Sequence, residues 1–532
     1  MPALSQHCSS LAVELRPGCA PLGEQSNSGV VPLTSDAGRW VTKVQRKFRN
    51  LFLAGVSATS AVGCSSDEPA PVSQETSSAR GAASAVDAAV AALGAQSVES
   101  ITYSGSAWRI RNSFRQTPNA SPPWLLRDDI TNYRRALDLQ QPASLATGDT
   151  FAQNLFFAPP VAGVYLQNIP AEQTLWAQQL EIWLTPWGFL RGARTNGAEE
   201  SSEMIDGDRY SVVTWKSPAA QAAPSGIPYT VKGYIDQQNL VARVETWTED
   251  AFMGDLHVAA LYSNYAELDG VMVPRTIEQQ RAGGGVFGVE VEDATVNPTN
   301  LAELLTPPQA PAGNAPGGGA APPVEQVEQL AEGVHLVTGG YVSLAVEFQE
   351  YVAVFEAGQS EVRGQAIIDL VEAAIPAKPI RYVINSHPHS DHTAGLVPFV
   401  RRGVTIVTHE SNVAFLQMGL STPRTLLGEE TLSPQFEAAG DLLVLEDASM
   451  RLELRHVPNG HTDGMLVAFL PAQRTLFQAD FTLPQAGATA NPFVISLAEY
   501  VRDSGLDFDR YLAVHAAAVP QTKADLMTTI GL

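Results

Sequence analysis

Between Thr306 and Pro323 the chain reads TPPQAPAGNAPGGGAAPP, a run of proline, glycine and alanine that can neither bury an apolar face nor supply a row of sheet donors. Whatever folds must fold on either side of it. The 532 residues allow two to four domains at roughly 100–200 residues each. A second low-complexity stretch, Ser65 to Ser84, reads as a flexible tether. The expected division is a leader over 1–64, the tether over 65–84, a β-rich domain over 85–300, a linker over 301–325 and a second domain over 326–532.

The leader has the layout of a bacterial secretory signal. Arg46, Lys47 and Arg49 precede an apolar run from Leu51 to Val62, which ends in small residues at Gly63 and Cys64. That run is shorter than the roughly 20 residues a membrane-spanning helix needs. Ala61-Val62-Gly63-Cys64 resembles a lipoprotein signal-peptidase box, with Ala61 where leucine is usual. The expectation is export to the periplasm or cell envelope, with a lipid anchor at Cys64 attaching the protein to a membrane; plain cleavage after Ala61 would instead release a soluble periplasmic protein. Nothing before Val44 fits a signal, so translation is expected to start at Val41 or Val44.

Composition narrows the chemistry. The net charge is −23, from 56 acidic and 33 basic residues, and no basic cluster follows the leader, which disfavours nucleic acid as a partner. The cysteines, Cys8, Cys19 and Cys64, all precede the first folded region. Neither a disulfide framework nor a thiolate metal site is available downstream, so any metal must be held by His, Asp or Glu.

The first region reads as a helix around Val86–Leu93 followed by an antiparallel meander. Tyr229–Asp236, Leu240–Thr248, His257–Leu268, Val271–Gln280 and Val286–Val296 alternate as strands, with a turn near Asp269-Gly270. Every tryptophan except Trp40 lies here, which suits packing of a large curved sheet, and His257 reads as a structural side chain. The order of helix, long strands and a closing Val296-Asn297-Pro298 loosely resembles the half-barrel of bacterial lipoprotein carriers.

The second region alternates strands and helices. Gly333–Thr338, Val342–Glu347, Tyr351–Phe355 and Ile380–Asn385 read as strands, with a helix carrying Ile367, Leu370, Val371 and Ala374 before the last of them. Asp441–Leu445, Leu452–Val457, Met465–Leu470 and Thr475–Phe477 form a second set, and helices at Val494–Asp503 and Lys523–Ile530 close the chain. Two strand-rich halves separated by helices predict an α+β fold, an αββα sandwich of face-to-face sheets with helices outside.

The chemistry concentrates at Ser386-His387-Pro388-His389-Ser390-Asp391-His392, between the Ile380–Asn385 strand and a helical stretch over Thr393–Arg402. In an extended loop His387 and His389 project to one side and can share an ion, while the turn carries Asp391 and His392 to a neighbouring position. Asp391 could instead cap the following helix. Three histidines and an aspartate within six positions, in a chain with only ten histidines, weigh against that. Further candidates follow in order: His461 in a tight Gly-His loop, Asp480 closing the strand from Thr475, and His515 after Tyr511–Val514.

This pattern resembles the metallo-β-lactamase superfamily, through the HxHxDH run at His387–His392, Gly460-His461, Asp480 and His515, over about Val334 to Leu532. Ala516 departs from the glycine common after the last histidine. The resemblance implies that His387, His389 and His461 hold one metal, that Asp391, His392 and His515 hold a second, and that Asp480 bridges them. Imidazole and carboxylate ligands suit two Zn²⁺, with Fe or Mn as alternatives. The activity implied is hydrolysis of a small ester, lactone, thioester, amide or related molecule by a metal-bridging hydroxide, which Asp391 orients as the catalytic carboxylate. Two other readings stay open: a mononuclear iron sulfur oxygenase of the same fold, and a lipid- or partner-binding protein with a vestigial metal site. His335 and His456 read as structural, and so does His409, although it could edge the pocket. The loops Met418–Glu437 and Thr482–Phe493 are the expected pocket walls.

Overall fold

Asp269-Gly270, Asp206-Gly207 and Ala282-Gly283 all adopt positive φ at both positions, the backbone that two-residue hairpin turns require to match strand twist. They belong to an antiparallel sheet of eleven strands built from Ser100 to Val296. Its first strand, Ser100–Ile110, pairs with Arg127–Asp138 on one side and with the last strand, Gly284–Val296, on the other. The computed structural model describes residues 84–110, 113–124, 127–152, 161–308, 325–484, 488–515 and 520–532. The segment expected to be a signal, Cys64, the expected tether and most of the expected linker lie outside the described residues. No described helix is long and apolar enough to cross a membrane.

The expected strands of the first region are present, preceded by the helix Ala85–Leu93. The strands at 100–169 and 199–216 have no counterpart in the sequence reading. Arg127–Asp138 shows why: a bulge between Thr131 and Arg134, with Asn132 at φ 51, breaks the alternation that marks a strand. The sheet packs on a helix, Pro186–Thr195, so closely that a Cβ on Gly233 would stand 2.1 Å from the Phe189 ring. Trp176, Trp183 and Trp215 pack against one another, with Tyr229 stacked on Trp176. His257 lies against Trp247 and bonds Glu245 Oε2 at 3.1 Å, a structural role.

The second region is an αββα sandwich. One sheet has seven strands, from Gln326–Ala331 to Phe436–Ala439, and the other has five, from Leu442–Glu446 to Arg510–Ala513. Strand alternation distributes side chains between layers. Leu344, Val346, Phe355, Ile384 and Val407 face the second sheet, meeting Leu452, Leu454, Val467 and Phe477. Their neighbours Ala345, Val354, Val383 and Ile406 face the outer helices through Ile367, Ile368, Leu396 and Phe399. Each such fully buried Val, Leu, Ile or Phe contributes about 1.5–3 kcal/mol. The helical stretch expected over Thr393–Arg402 is two short helices, Ser390–Thr393 and Leu396–Arg401. They meet at Gly395, whose Cβ would stand 2.0 Å from the Ala357 carbonyl oxygen, so only glycine allows this approach.

The linker composition suggests separate halves, yet the described residues on its two sides belong to one compact unit. Phe252 and Leu256 share an apolar cluster with Phe415, Leu416 and Leu426. Asp255 caps the turn Thr425–Leu427, accepting from Thr425 N at 3.2 Å and Leu426 N at 2.9 Å. A linker's composition constrains only the linker. Surfaces far from it in sequence decide whether the regions pack.

Candidate metal centre

The seven candidate side chains come from four segments of the chain, and the structure gathers all of them at one end of the sandwich. His387, Asp480 and His515 stand just beyond the ends of the strands Ile380–Ile384, Thr475–Gln478 and Arg510–Ala513, and His461 lies between Arg451–His456 and Leu466–Leu470. Parallel neighbouring strands end on the same side, which is why consecutive strand ends can share a site.

Each loop is fixed locally. Asn385 donates Nδ2 to the carbonyls of His387, at 2.8 Å, and His392, at 3.0 Å, closing the HxHxDH turn. Asn459 Oδ1 accepts from His461 N at 2.7 Å and Thr462 N at 3.2 Å, an Asx turn that sets the His461 backbone. Gln478 Oε1 accepts from Phe481 N at 2.6 Å, folding the turn that carries Asp480. Asn412 Nδ2 donates to the Gly464 carbonyl at 2.8 Å and so joins the His461 loop to the first sheet.

The ligand atoms fall into two groups: His387, His389, His461 and Asp480, and Asp391, His392 and His515, with the atoms in each group within 4.8 Å of one another. Asp480 lies between them. Its Oδ2 is 2.9 Å from His461 Nε2, and its Oδ1 is 2.9 Å from His392 Nε2 and 3.0 Å from His515 Nε2. Ring nitrogens also face each other, His392 Nε2 to His515 Nε2 at 3.0 Å and His461 Nε2 to His387 Nε2 at 3.3 Å. One proton at most can lie between two such lone pairs, so the donor set fits cations better than it fits itself. His389 Nδ1, on a residue of the first group, is a further buried atom with no hydrogen-bond partner.

Outer partners fix the ring orientations. Ser386 Oγ lies 2.9 Å from His387 Nδ1, and Glu356 Oε2 lies 2.8 Å from His392 Nδ1, which leaves both Nε2 atoms for the centre. Glu356 is fully buried, and its Oε1 accepts from Ser386 N at 3.0 Å. Tyr341 donates its hydroxyl to Asp391 Oδ2 at 3.2 Å and packs its ring edge on His515.

Burial, with His392 nearby, holds His387 well below the usual imidazole value, and burial with His461 brings His389 to about 3. Both are therefore neutral, the form that binds metal. Burial opposes the charge on His392, but Glu356 and Asp480 outweigh it and raise this group well above 6.5. A cation would take the place of that proton, since metal binding displaces protons from its ligands. Burial likewise opposes the charge on Asp480, yet His392 and His387 hold it well below the usual carboxylate range.

A cavity of about 390 Å³ opens over the centre. Thr482, Asn491 and Phe493 line it, from one of the loops expected to do so; residues 485–487 of that loop lie outside the described residues. The other expected wall is corrected. Among the described lining residues none comes from Met418–Glu437, whose central turn is engaged with Asp255, and Gln116 and Pro118 of the first region line the cavity instead. His409 stacks on His456 with ring centroids 4.2 Å apart, outside the cavity lining, and is structural. Sequence reasoning missed Glu356, although it follows an apolar strand in the manner of Asp480. It also missed Gln116, for which the sequence carries no signal.

A profile of the Metallo-beta-lactamase superfamily matches residues 337–516. No curated protein matches the chain. Among solved structures, similarity extends to a metallo-beta-lactamase from Pontibacter korlensis, at 18% identity and TM-score 0.32, covering 39% of this chain and 99% of that one. A metallo-beta-lactamase from Hirschia baltica is similar at 16% identity and TM-score 0.30, over 38% of this chain and 95% of its own. The stereoselective inverting sec-alkylsulfatase Pisa1 from Pseudomonas sp. is similar at 16% identity and TM-score 0.30, over 39% and 40%.

Proposed function

From the placement of residues 337–516 in the metallo-β-lactamase superfamily, we propose that this chain is a dinuclear metal-dependent hydrolase of small molecules. The observation that carries the reading is Asp480, with one carboxylate oxygen turned to each ligand group. In this reading His387, His389 and His461 would hold one ion, Asp391, His392 and His515 would hold the other, and Asp480 would offer a carboxylate oxygen to each. Zinc suits this donor set, and Fe or Mn would fit it as well. Divalent ions there supply Lewis acidity and bring the pKa of a water down to about 7.

The chain's own residues do the rest. Asp391 stays ionised beside His392 and Gln116, and in this reading it accepts a hydrogen bond from the attacking water and orients it. Tyr341, donating to Asp391 Oδ2, fixes the rotamer of that carboxylate. Gln116, Thr482 and Asn491 offer uncharged hydrogen bonds, and Pro118 and Phe493 offer apolar wall. Among the described lining residues none is lysine or arginine, which favours a neutral substrate over one anchored by a carboxylate. Export and a lipid anchor at Cys64 belong to the same proposal and would expose the enzyme to substrates in the cell envelope.

The test is metal analysis of the purified full chain beside a hydrolysis panel of neutral lactones, esters and thioesters, β-lactams, and sulfate and phosphate esters. About two divalent ions per chain with turnover of neutral members is the expected result. A single iron with oxygen consumption on thiol substrates would move the assignment to the oxygenase reading. A chain that binds no divalent ion would overturn both.

A further inference from the structure

The connection between the first two strands of the eleven-stranded sheet leaves that sheet and runs along the metal-ligand loop. Four successive residues make the contact. The Arg115 carbonyl accepts from Ser390 N at 3.0 Å, and Gln116 Nε2 donates to Ser390 Oγ at 2.7 Å and Asp391 Oδ1 at 2.9 Å. The Thr117 carbonyl accepts from His389 Nε2 at 3.1 Å, and the Pro118 carbonyl accepts from Asp463 N at 2.9 Å. Both halves of the ligand set, HxHxDH and the His461 loop, are thus held by a segment lying about 270 residues or more away in sequence.

We propose that Arg115–Pro118 of the N-terminal region is an integral part of the metal centre: its Thr117 carbonyl and Gln116 carboxamide are the positioning groups that present His389 Nδ1 and Asp391 to the ions. This rests on the metal-centre reading above and deepens it. His389 is the ligand whose geometry is reversed. Its neighbours His387 and His392 are fixed through Nδ1 and present Nε2, whereas His389 is fixed through Nε2, which leaves the partnerless Nδ1 as the nitrogen available to an ion. The only described atom that dictates this orientation is the Thr117 carbonyl. A histidine free of it could rotate and offer either nitrogen, and the site would lose the preorganisation on which ion affinity depends.

The segment is itself built to hold position. The Arg115 guanidinium bonds Thr393 Oγ1 at 3.1 Å, pairs with Asp250 at 3.3 Å and lies 4.7 Å over the Phe252 ring. Thr117 Oγ1 donates to the Asn119 carbonyl at 3.1 Å, and Phe114 packs on Trp124 with centroids 4.8 Å apart. Gln116 and Pro118 also line the cavity, so two of the four residues that hold the ligand loops form part of the wall against which a substrate would rest. A C-terminal fragment starting after the linker would therefore carry all seven ligands and still lack a part of its centre.

The test uses the full chain loaded with Co²⁺, whose visible absorption reports ligand geometry. Wild type, Gln116→Ala, Arg115→Met and Asp255→Ala are compared for Co²⁺ affinity, spectrum and melting temperature. Asp255→Ala breaks a polar contact between the two regions that lies away from the metal ligands, at Thr425 and Leu426, and serves as the control for docking. Gln116→Ala is expected to weaken one of two Co²⁺ sites by about ten- to a hundredfold and to change the absorption, while Asp255→Ala lowers the melting temperature and leaves the spectrum alone. Arg115→Met, which frees the whole segment, is expected to weaken both sites. Two Co²⁺ bound by Gln116→Ala with wild-type affinity and spectrum would overturn the inference, and so would an Asp255→Ala chain that shows the same spectral change. A wild-type chain that binds no Co²⁺ overturns the metal-centre reading and this inference with it.

Discussion

Glu356→Gln isolates one oxygen of a fully buried carboxylate. In the native chain one oxygen accepts from Ser386 N at 3.0 Å and the other meets His392 Nδ1 at 2.8 Å. An amide has a single acceptor oxygen. If that oxygen keeps the Ser386 bond, the NH₂ faces His392 Nδ1, which must then accept, and its proton moves to Nε2, where it points into the centre and blocks an ion. If the amide flips, His392 keeps its tautomer, but the NH₂ opposes the Ser386 N–H and leaves a buried donor unpaired, at about 1–3 kcal/mol. The backbone already holds Glu356 at φ 77, a conformation that costs a non-glycine residue about 1–3 kcal/mol, so the fold sustains strain to keep this carboxylate in place. Changing the outer partner of a metal-bound histidine typically lowers affinity about 10–100-fold, which is about 1.4–2.7 kcal/mol. The assay is Zn²⁺ competition against a chelator, read with metal content per folded chain. Folded Glu356→Gln that binds both ions at wild-type affinity would refute the argument that Glu356 sets the His392 tautomer.

Asp480→Ala removes the carboxylate shared by the two ligand groups, so metal content should fall from about two ions to one or none while the chain stays folded; two ions retained with normal turnover would exclude the bridging role. Gly395→Ala places a Cβ 2.0 Å from the Ala357 carbonyl oxygen and should lower unfolding free energy by at least about 1–3 kcal/mol in denaturant titration, an unchanged midpoint being the contrary result. Glu245 tests pH linkage. Burial opposes its charge, but His257 and Arg243 outweigh that and hold its carboxyl at about 2, against an ordinary 4.5. A depressed carboxyl stabilises fully above the unfolded value and loses that contribution as pH falls through the folded one. The stability gap between wild type and Glu245→Gln, about 3 kcal/mol near neutrality, should therefore narrow between pH 4.5 and pH 2; a gap constant across that window contradicts it. Cys64→Ser should convert a membrane-associated chain into a soluble periplasmic one on cell fractionation, and equal solubility of both forms would remove the anchor.

The sequence by itself determined the sandwich and the candidate side chains that the structure gathers, because both are marked by local patterns. Strands such as Ile380–Ile384 and Thr475–Gln478 are short apolar runs, and His387 and Asp480 interrupt polarity at their ends, where nothing in the packing demands a charged or ionisable group. The same pattern marked Glu356 after Val352–Phe355, but a single carboxylate is not distinguishable from a turn residue until His392 Nδ1 is seen against it. The strands over 100–169 were illegible for a different reason. Bulges and polar outer faces erase the two-residue period, and only pairing with neighbours defines them. What tertiary structure alone decided is the partnership between the two regions. The linker Thr306–Pro323 announces separation, and no local signal in Arg115–Pro118 hints at a role beside His389 and Asp391. A backbone carbonyl such as that of Thr117 has no sequence signature at all: every residue carries one, and whether it orients a ligand depends on where the chain places it.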